Sequence, residues 1–340
     1  MVTDIRRVIR DSAAARVAPG IVALLVGAVL ARAIGGAVEH LDRLPLAVAI
    51  GAGLANAVGV PERLRSGIRT HMIWLGGGIV LMGASVSVEA IVAGGPTILI
   101  LVVGVVAGTT VFVELMARNV FGLRERLGSL LAAGTGICGV SAVVAVARSI
   151  NADEESIAYA AGTVLLFDAV TIIAYPAIGT LLSVPDRVFG VWAGLSMFST
   201  GPIVAAGFAY SETAGQWATI TKLARNALIG AVVLAYATYY ARRDASANAG
   251  FRALWSEFPK FVLGFFLMAG IASLGLLSTS QVTVIEHAYN WLFLVAFVGL
   301  GTELRRDAFA DSGLRPILVV SFALAVVGSV TLAGTWILLG

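Results

Sequence analysis

The chain has 340 residues, 59% of them hydrophobic and only 13% charged, with 23 Lys and Arg against 20 Asp and Glu. Soluble domains of this size carry about 25% charged residues, so too few polar groups are present to cover a water-soluble globule. A mean hydropathy of +0.93 with basic residues spread along the chain excludes a nucleic-acid binder, and the single Cys138 excludes an intramolecular disulfide and a Cys-based zinc site.

A membrane-spanning helix needs roughly 20 apolar residues. That length predicts an all-α membrane protein with about eleven transmembrane helices, at 17–37, 44–60, 70–92, 96–117, 127–148, 156–183, 188–211, 216–241, 258–278, 285–304 and 315–339. Residues 1–16 lack a small-residue cleavage site after the first apolar run, so that run reads as a retained helix. The longest connection, 241–257, holds Arg242, Arg243, Asp244 and Arg252 and reads as a solvated loop. The connections leave no soluble domain, and 1–340 reads as one transmembrane domain.

With a cytoplasmic N-terminus, eighteen of the 23 Lys and Arg fall in inner segments, and only Arg32, Arg43 and Arg148 fall outside. Positive charge collects on the cytoplasmic side of membrane proteins, so the expectation is a plasma-membrane protein with its N-terminus inside and its C-terminus outside. One leading helix (17–37) plus two groups of five, 44–183 and 188–339, gives two five-helix repeats running in opposite directions. Inverted repeats with discontinuous crossing helices are a common plan of secondary transporters. The fourth span of each group holds a glycine cluster, Gly134-Thr135-Gly136-Ile137-Cys138-Gly139 and Gly299-Leu300-Gly301-Thr302, and such matched interruptions point to a binding site.

Three glycines in six residues weaken a helix by about 1 kcal/mol each relative to Ala. If the helix breaks there, the N–H groups starting a half-helix near Val140 face the membrane centre and favour an anion. The other reading is that these glycines only allow close helix packing, and composition does not separate the two. In the second cluster Thr302 and the backbone at Gly301 are the candidates, while Glu303, Arg305, Arg306 and Asp307 read as interfacial charges. A third irregular stretch runs from Ser196 through Ser199, Thr200 and Gly201 to Pro202, either a broken helix or a simple proline kink.

Ionisable groups inside a span face a cavity or a partner. Asp168 is the deepest acid, read either as carrier of a coupling proton or as structural partner of Lys222 or Arg225. Lys222 and Arg225 are three apart on one helical face, placed to neutralise an anionic substrate or to snorkel outward. Glu114, within a turn of the inner loop, reads as interfacial. His40, His71 and His287 sit at span ends without ligand spacing, so no metal and no cofactor is expected. No enzyme is expected either: Asp168 has no second deep acid, and Ser196 has no His within a span to act as base.

Several stretches carry a resemblance. They include Val120-Phe121-Gly122-Leu123, the run from Gly134 through Ala142, Ala152-Asp153-Glu154-Glu155, Phe167 to Pro176, Gly78 to Gly83, Val204 to Gly207, Lys222-Leu223 with Arg225, and Gly299-Leu300 with Thr302. Together they closely resemble the YeiH-type family, named as sulfate exporters within the bile acid/arsenite/riboflavin transporter superfamily, over about residues 40–335. The resemblance implies two inverted five-helix repeats, export of a small anion such as sulfate or an organosulfonate, and a homodimer, since superfamily relatives often pair. The family's seventh span usually shows a His-Glu pair and a downstream Gln; here the aligned positions are Ser196, Phe198, Ser199 and Pro202. Asp168, where relatives commonly carry a small residue, reads as a compensating change. The leading expectation is a secondary transporter of a small anion by alternating access. Its substrate site is expected at Thr135, Gly136, Cys138, Gly139, Ser141, Ser196, Ser199, Thr200, Gly301, Thr302, Lys222 and Arg225, with ion coupling at Asp168. An anion channel is the alternative.

Overall fold

The computed structural model describes residues 2–37, 43–85, 88–241, 260–304 and 313–340, with side chains from residue 16 onward except at 88–94. Within these residues every regular element is helical. Six helices are long and apolar enough to cross a membrane: 16–37, 95–120, 154–181, 212–241, 279–301 and 314–339. Large apolar side chains point outward from them, Ile100 being 74% exposed, Ile173 75% and Ile337 81%. Such surface is stable against lipid and unstable against water. The expected loop at 242–257, His40 and the charges Arg305, Arg306 and Asp307 lie outside the described residues.

The chain divides into two compact units that each draw on both halves of the sequence: residues 1–86 with 264–305, and 87–263 with 306–340. In the first unit, α1 (Val2–Ala37), α2 (Arg43–Ala57) and α4 (His71–Met82) pack with the later α14 (Thr279–Gly301), and α3 (Glu62–Ile68) packs on α1. The contacts are backbone on backbone. A Cβ on Gly51 would lie 2.0 Å from the Val298 carbonyl, and one on Gly301 would lie 2.1 Å from that of Val48. Small residues at such crossings let helices approach closely in a membrane.

The second unit holds α5 (Val88–Leu115), α6 (Glu125–Ala133), α7 (Val140–Ile150), α8 (Glu154–Leu181), α9 (Asp186–Ser196), α10 (Thr200–Tyr210), α11 (Glu212–Asn226), α12 (Ile229–Ala241) and α15 (Leu314–Leu339). The remaining helix, α13 (Lys260–Ser273), joins the two units in sequence. Within this unit the expected spans 127–148 and 188–211 are not through-going. Each is a pair of short helices folded back on itself.

The first hairpin is α6, a π-turn over Gly134–Cys138, Gly139 and α7. A straight helix from Arg124 to Ile150 would be about 39 Å long. Yet Arg124 ion-pairs with Glu155 at 3.2 Å, only five residues beyond Ile150, and a Cβ on Gly134 would lie 2.9 Å from the Val143 side chain. The second hairpin is α9, the extended link Met197–Ser199 and α10. Phe189 near its start and Tyr210 at its end stack with ring centroids 3.9 Å apart, and the Tyr210 hydroxyl donates to the Val184 carbonyl at 2.5 Å. Twenty-one residues of straight helix would separate those rings by about 31 Å.

Helix α8 fixes how the hairpins meet. It starts beside the base of the first, where Glu155 pairs with Arg124, and ends beside the base of the second, where a Cβ on Gly179 would touch Phe189 and Tyr210. The two hairpins therefore enter from opposite ends of this helix, which is about 42 Å long. Their tips come together at its middle, where Asp168 sits.

Pro202 falls in the first turn of α10. Its missing N–H has no helical partner to lose there, so it starts a helix and kinks none. The interruption expected at Gly299–Gly301 is absent, because α14 runs unbroken through Gly299 to end at Gly301. There the glycines serve packing: a Cβ on Gly299 would lie 2.2 Å from that of His71.

Candidate functional site: the paired hairpin tips

The first tip turns at Gly139, with φ +69° and ψ −137°, a conformation that L side chains rarely adopt. Its N–H donates to the Gly134 carbonyl at 2.9 Å, closing the π-turn, and Thr135 Oγ1 donates back to the Leu131 carbonyl at 2.7 Å. A Cβ on Gly139 would lie 2.0 Å from Ser199 Oγ, so the tips touch at a position where nothing larger than hydrogen fits.

A helix leaves its last four carbonyls without helical partners, and its carbonyl end carries partial negative charge. Two such ends, those of α6 and α9, converge here. Lys222 and Arg225, from α11, answer both. Lys222 Nζ donates to the carbonyls of Ile137 and Phe198, one from each tip. Arg225 donates through Nε to the Gly136 carbonyl at 2.9 Å, through Nη1 to those of Met197 at 2.7 Å and Gly194 at 3.3 Å, and through Nη2 to that of Thr135. Both side chains are fully enclosed, at 0% and 1% exposure. The snorkelling reading is thereby corrected: Lys222 points inward, because the tip carbonyls offer it acceptors that lipid does not.

Helix α11 is held in register by small residues. A Cβ on Gly190 or Gly194 of α9 would run into the α11 backbone at Ala214 or Ala218, within 2.8 Å, and one on Gly207 of α10 would lie 2.9 Å from Gly215 Cα. The matching carboxylate is Asp168, 1% exposed, whose Oδ1 accepts the Ser199 N–H at 3.0 Å. Asp168 thus holds the second tip directly. Ser196 is also committed to structure, donating to the Trp192 carbonyl at 2.6 Å and accepting from the Tyr175 hydroxyl at 2.9 Å.

The opposite faces of the tips are amide ends. The first turns of α7 and α10 present N–H groups without helical acceptors. Ser141 there is exposed, and Ser199 and Thr200 are partly so, whereas Thr135, Gly136, Cys138 and Gly139 are buried. Asn226 Nδ2 donates to Thr200 Oγ1 at 3.1 Å. Among the described residues, Asn226 Oδ1, Thr221 Oγ1 and Thr110 Oγ1 are buried without a hydrogen-bond partner; Thr110 faces Gly136, whose Cβ would lie 2.6 Å from that hydroxyl. Gly301 and Thr302 are not among the tip residues. They belong to the first unit, where Thr302 Oγ1 donates to the Gly299 carbonyl at 2.6 Å.

Sequence reading missed a second polar cluster. Arg118 pairs with Glu114 and with Glu125 at 2.6 Å, and Glu114 also accepts from Ser129 at 2.9 Å and Tyr236 at 2.8 Å. Glu114, expected at the membrane interface, is the centre of this network. The i, i+4 spacing of Glu114 and Arg118 was the available signal. From there a largely apolar cavity of about 540 Å³ extends along α5 and α12 to Thr110 and Leu228, beside the first tip.

Helices of this length with apolar outer faces, around buried hairpin tips, define an integral membrane protein. Residues 19–320 match the family model described as Conserved hypothetical protein 698, and the chain belongs to that family. It is 32% identical over 279 residues to a UPF0324 membrane protein of Nitratidesulfovibrio vulgaris, covering 80% of this chain and 77% of that one. UPF0324 membrane proteins of Clostridium tetani and Listeria innocua are each 30% identical, over 73% and 86% of this chain and 76% and 85% of theirs. No solved structure matches it.

Proposed function

We propose that this protein is a secondary transporter that exports a small anion, sulfate or an organosulfonate, by alternating access, as its resemblance to the YeiH-type family implies. The observation that carries the reading is the meeting of two helical hairpins from opposite ends at the midpoint of α8. Discontinuous helices that bring their ends together inside a membrane protein are where carriers bind solutes. The amide ends at Ser141, Thr200 and Gly201 are the anion's seat, with Ser199 and Asn226 beside them. Thr135, Gly136, Cys138 and Gly139 shape the tip from behind, and Asp168 is the seat of a coupled proton.

Counting each hairpin as entering and leaving on one side leaves nine crossings, with the N-terminus inside and the C-terminus outside. Arg148 then moves to the inner side and Arg187 to the outer, so the excess of positive charge inside is unchanged. On the expected division, α5, the first hairpin and α8 fall in the repeat 44–183, and the second hairpin, α11–α12 and α15 in the repeat 188–339.

Proteoliposomes holding the purified protein test this with labelled sulfate, a short organosulfonate and a carboxylate. Saturable uptake accelerated by the same anion on the opposite side is expected. Thr200→Val and Asn226→Ala each lower it about tenfold, the worth of one polar contact near 1.4 kcal/mol. Absence of flux for all three anions overturns the proposal.

A further inference from the structure

Six carbonyl oxygens from the two tips converge on two side-chain cations: Thr135, Gly136 and Ile137 from the first, Gly194, Met197 and Phe198 from the second. Unwound backbone carbonyls at the C-terminal ends of half-helices are the groups with which membrane carriers otherwise coordinate a free alkali cation. Here those oxygens already accept N–H groups from an ammonium and a guanidinium that are part of the chain. We infer that Lys222 and Arg225 are tethered replacements for a coupling cation, so that the tips assemble, and the carrier works, without sodium or potassium.

The chemistry is self-consistent. Both cations are buried, so each needs partners worth the loss of its hydration, and the negative ends of α6 and α9 supply them. Lys222 bridges residues 61 positions apart in sequence, Ile137 and Phe198, which is the work a shared metal ion performs in an untethered site. The donors that a coupling cation would otherwise supply to these carbonyls are already part of the chain, so an incoming anion has no need to bring a metal ion with it.

This deepens the carrier reading and rests on it only for the transport measurement. The test uses the full-length purified protein in sodium, potassium and choline chloride at equal ionic strength and pH. A cation held at ten times its Kd would raise Tm by about 2–4 °C. The wild-type Tm is expected to be the same in all three salts, and anion flux likewise. Lys222→Ala opens the ammonium position: its Tm falls in choline and recovers in part with sodium or with ethylammonium, a free amine small enough to enter the vacated space. If Lys222→Ala does not fold, Lys222→Ser, which vacates the same space and adds one hydroxyl, takes its place with the same expected response to sodium. A wild-type Tm or flux higher in sodium than in choline overturns the inference. So does a Lys222 variant as stable as wild type in choline, or one whose loss no small cation recovers. Failure to transport any anion sinks the carrier reading while the melting measurements still decide this one.

Discussion

Gly139 combines a left-handed φ of +69° with a tip contact in which an added Cβ would sit 2.0 Å from Ser199 Oγ. Strain and overpacking add, so Gly139→Ala is expected to cost roughly 2–6 kcal/mol and to lower Tm strongly. Gly122 has a similar φ of +59° with nothing within 4 Å of an added Cβ. Gly122→Ala pays only the backbone penalty, about 1–2 kcal/mol. Thermal unfolding of the two variants checks the contrast, and equal losses would mean that the tips do not touch. Arg225 makes the same point from the polar side. It spends donors on four carbonyls, and truncating a buried cation so engaged typically costs 3–5 kcal/mol, because the acceptors are stranded.

Among the helices, α8 is the reference against which the hairpins are set, so its start matters. Asp153 is its N-cap: the Ser156 N–H donates to Oδ1 at 2.8 Å and the Ser156 hydroxyl to Oδ2 at 2.9 Å. Those two bonds, the backbone one first, hold the Asp153 carboxyl below its usual range. A depressed folded value means that the stabilisation is complete above the ordinary carboxylate pKa and fades as pH falls through the lowered one. Asp153→Ala is therefore expected to lose about 1 kcal/mol at neutral pH. The gap from wild type closes in acid, which Tm measured from pH 7 downward reads out. The hairpins make a second prediction. Cys138, the only cysteine, is buried, so single cysteines placed at Arg124 and Asn151 can be labelled against a quiet background. Both are expected to react with an impermeant maleimide from the same side of the membrane. Opposite sides would restore a crossing helix at 127–148.

For the molecule as a whole, hydropathy reported where apolar chain lies, and nearly every expected span holds one or two helices. The glycine run before Val140 was legible as a weak point, either a break or a close packing surface, since three glycines in six residues weaken a helix by about 1 kcal/mol each. Direction was not legible. Twenty apolar residues satisfy the length of one crossing and equally of two ten-residue arms lying side by side. The partner of that break was also misplaced. Gly299–Gly301 looks like the first cluster in composition but is spent on contact with α2 and His71, while the true counterpart, Met197–Ser199, has no glycine within it.

Composition, helix length and charge placement determined by themselves that this is a helical membrane protein; they marked the run before Val140 as either a break or a close packing surface, and Asp168, Lys222 and Arg225 as ionisable groups within expected spans. Those properties depend on neighbours a few residues apart and on transfer from water to lipid. Only the tertiary structure decided that the interrupted segments double back, that Arg124 meets Glu155 and Phe189 meets Tyr210, and that one lysine ties Ile137 to Phe198. Such pairings join groups tens of residues apart, and the free energy that selects them comes from satisfying buried carbonyls, a term set by which helix ends face one another in space.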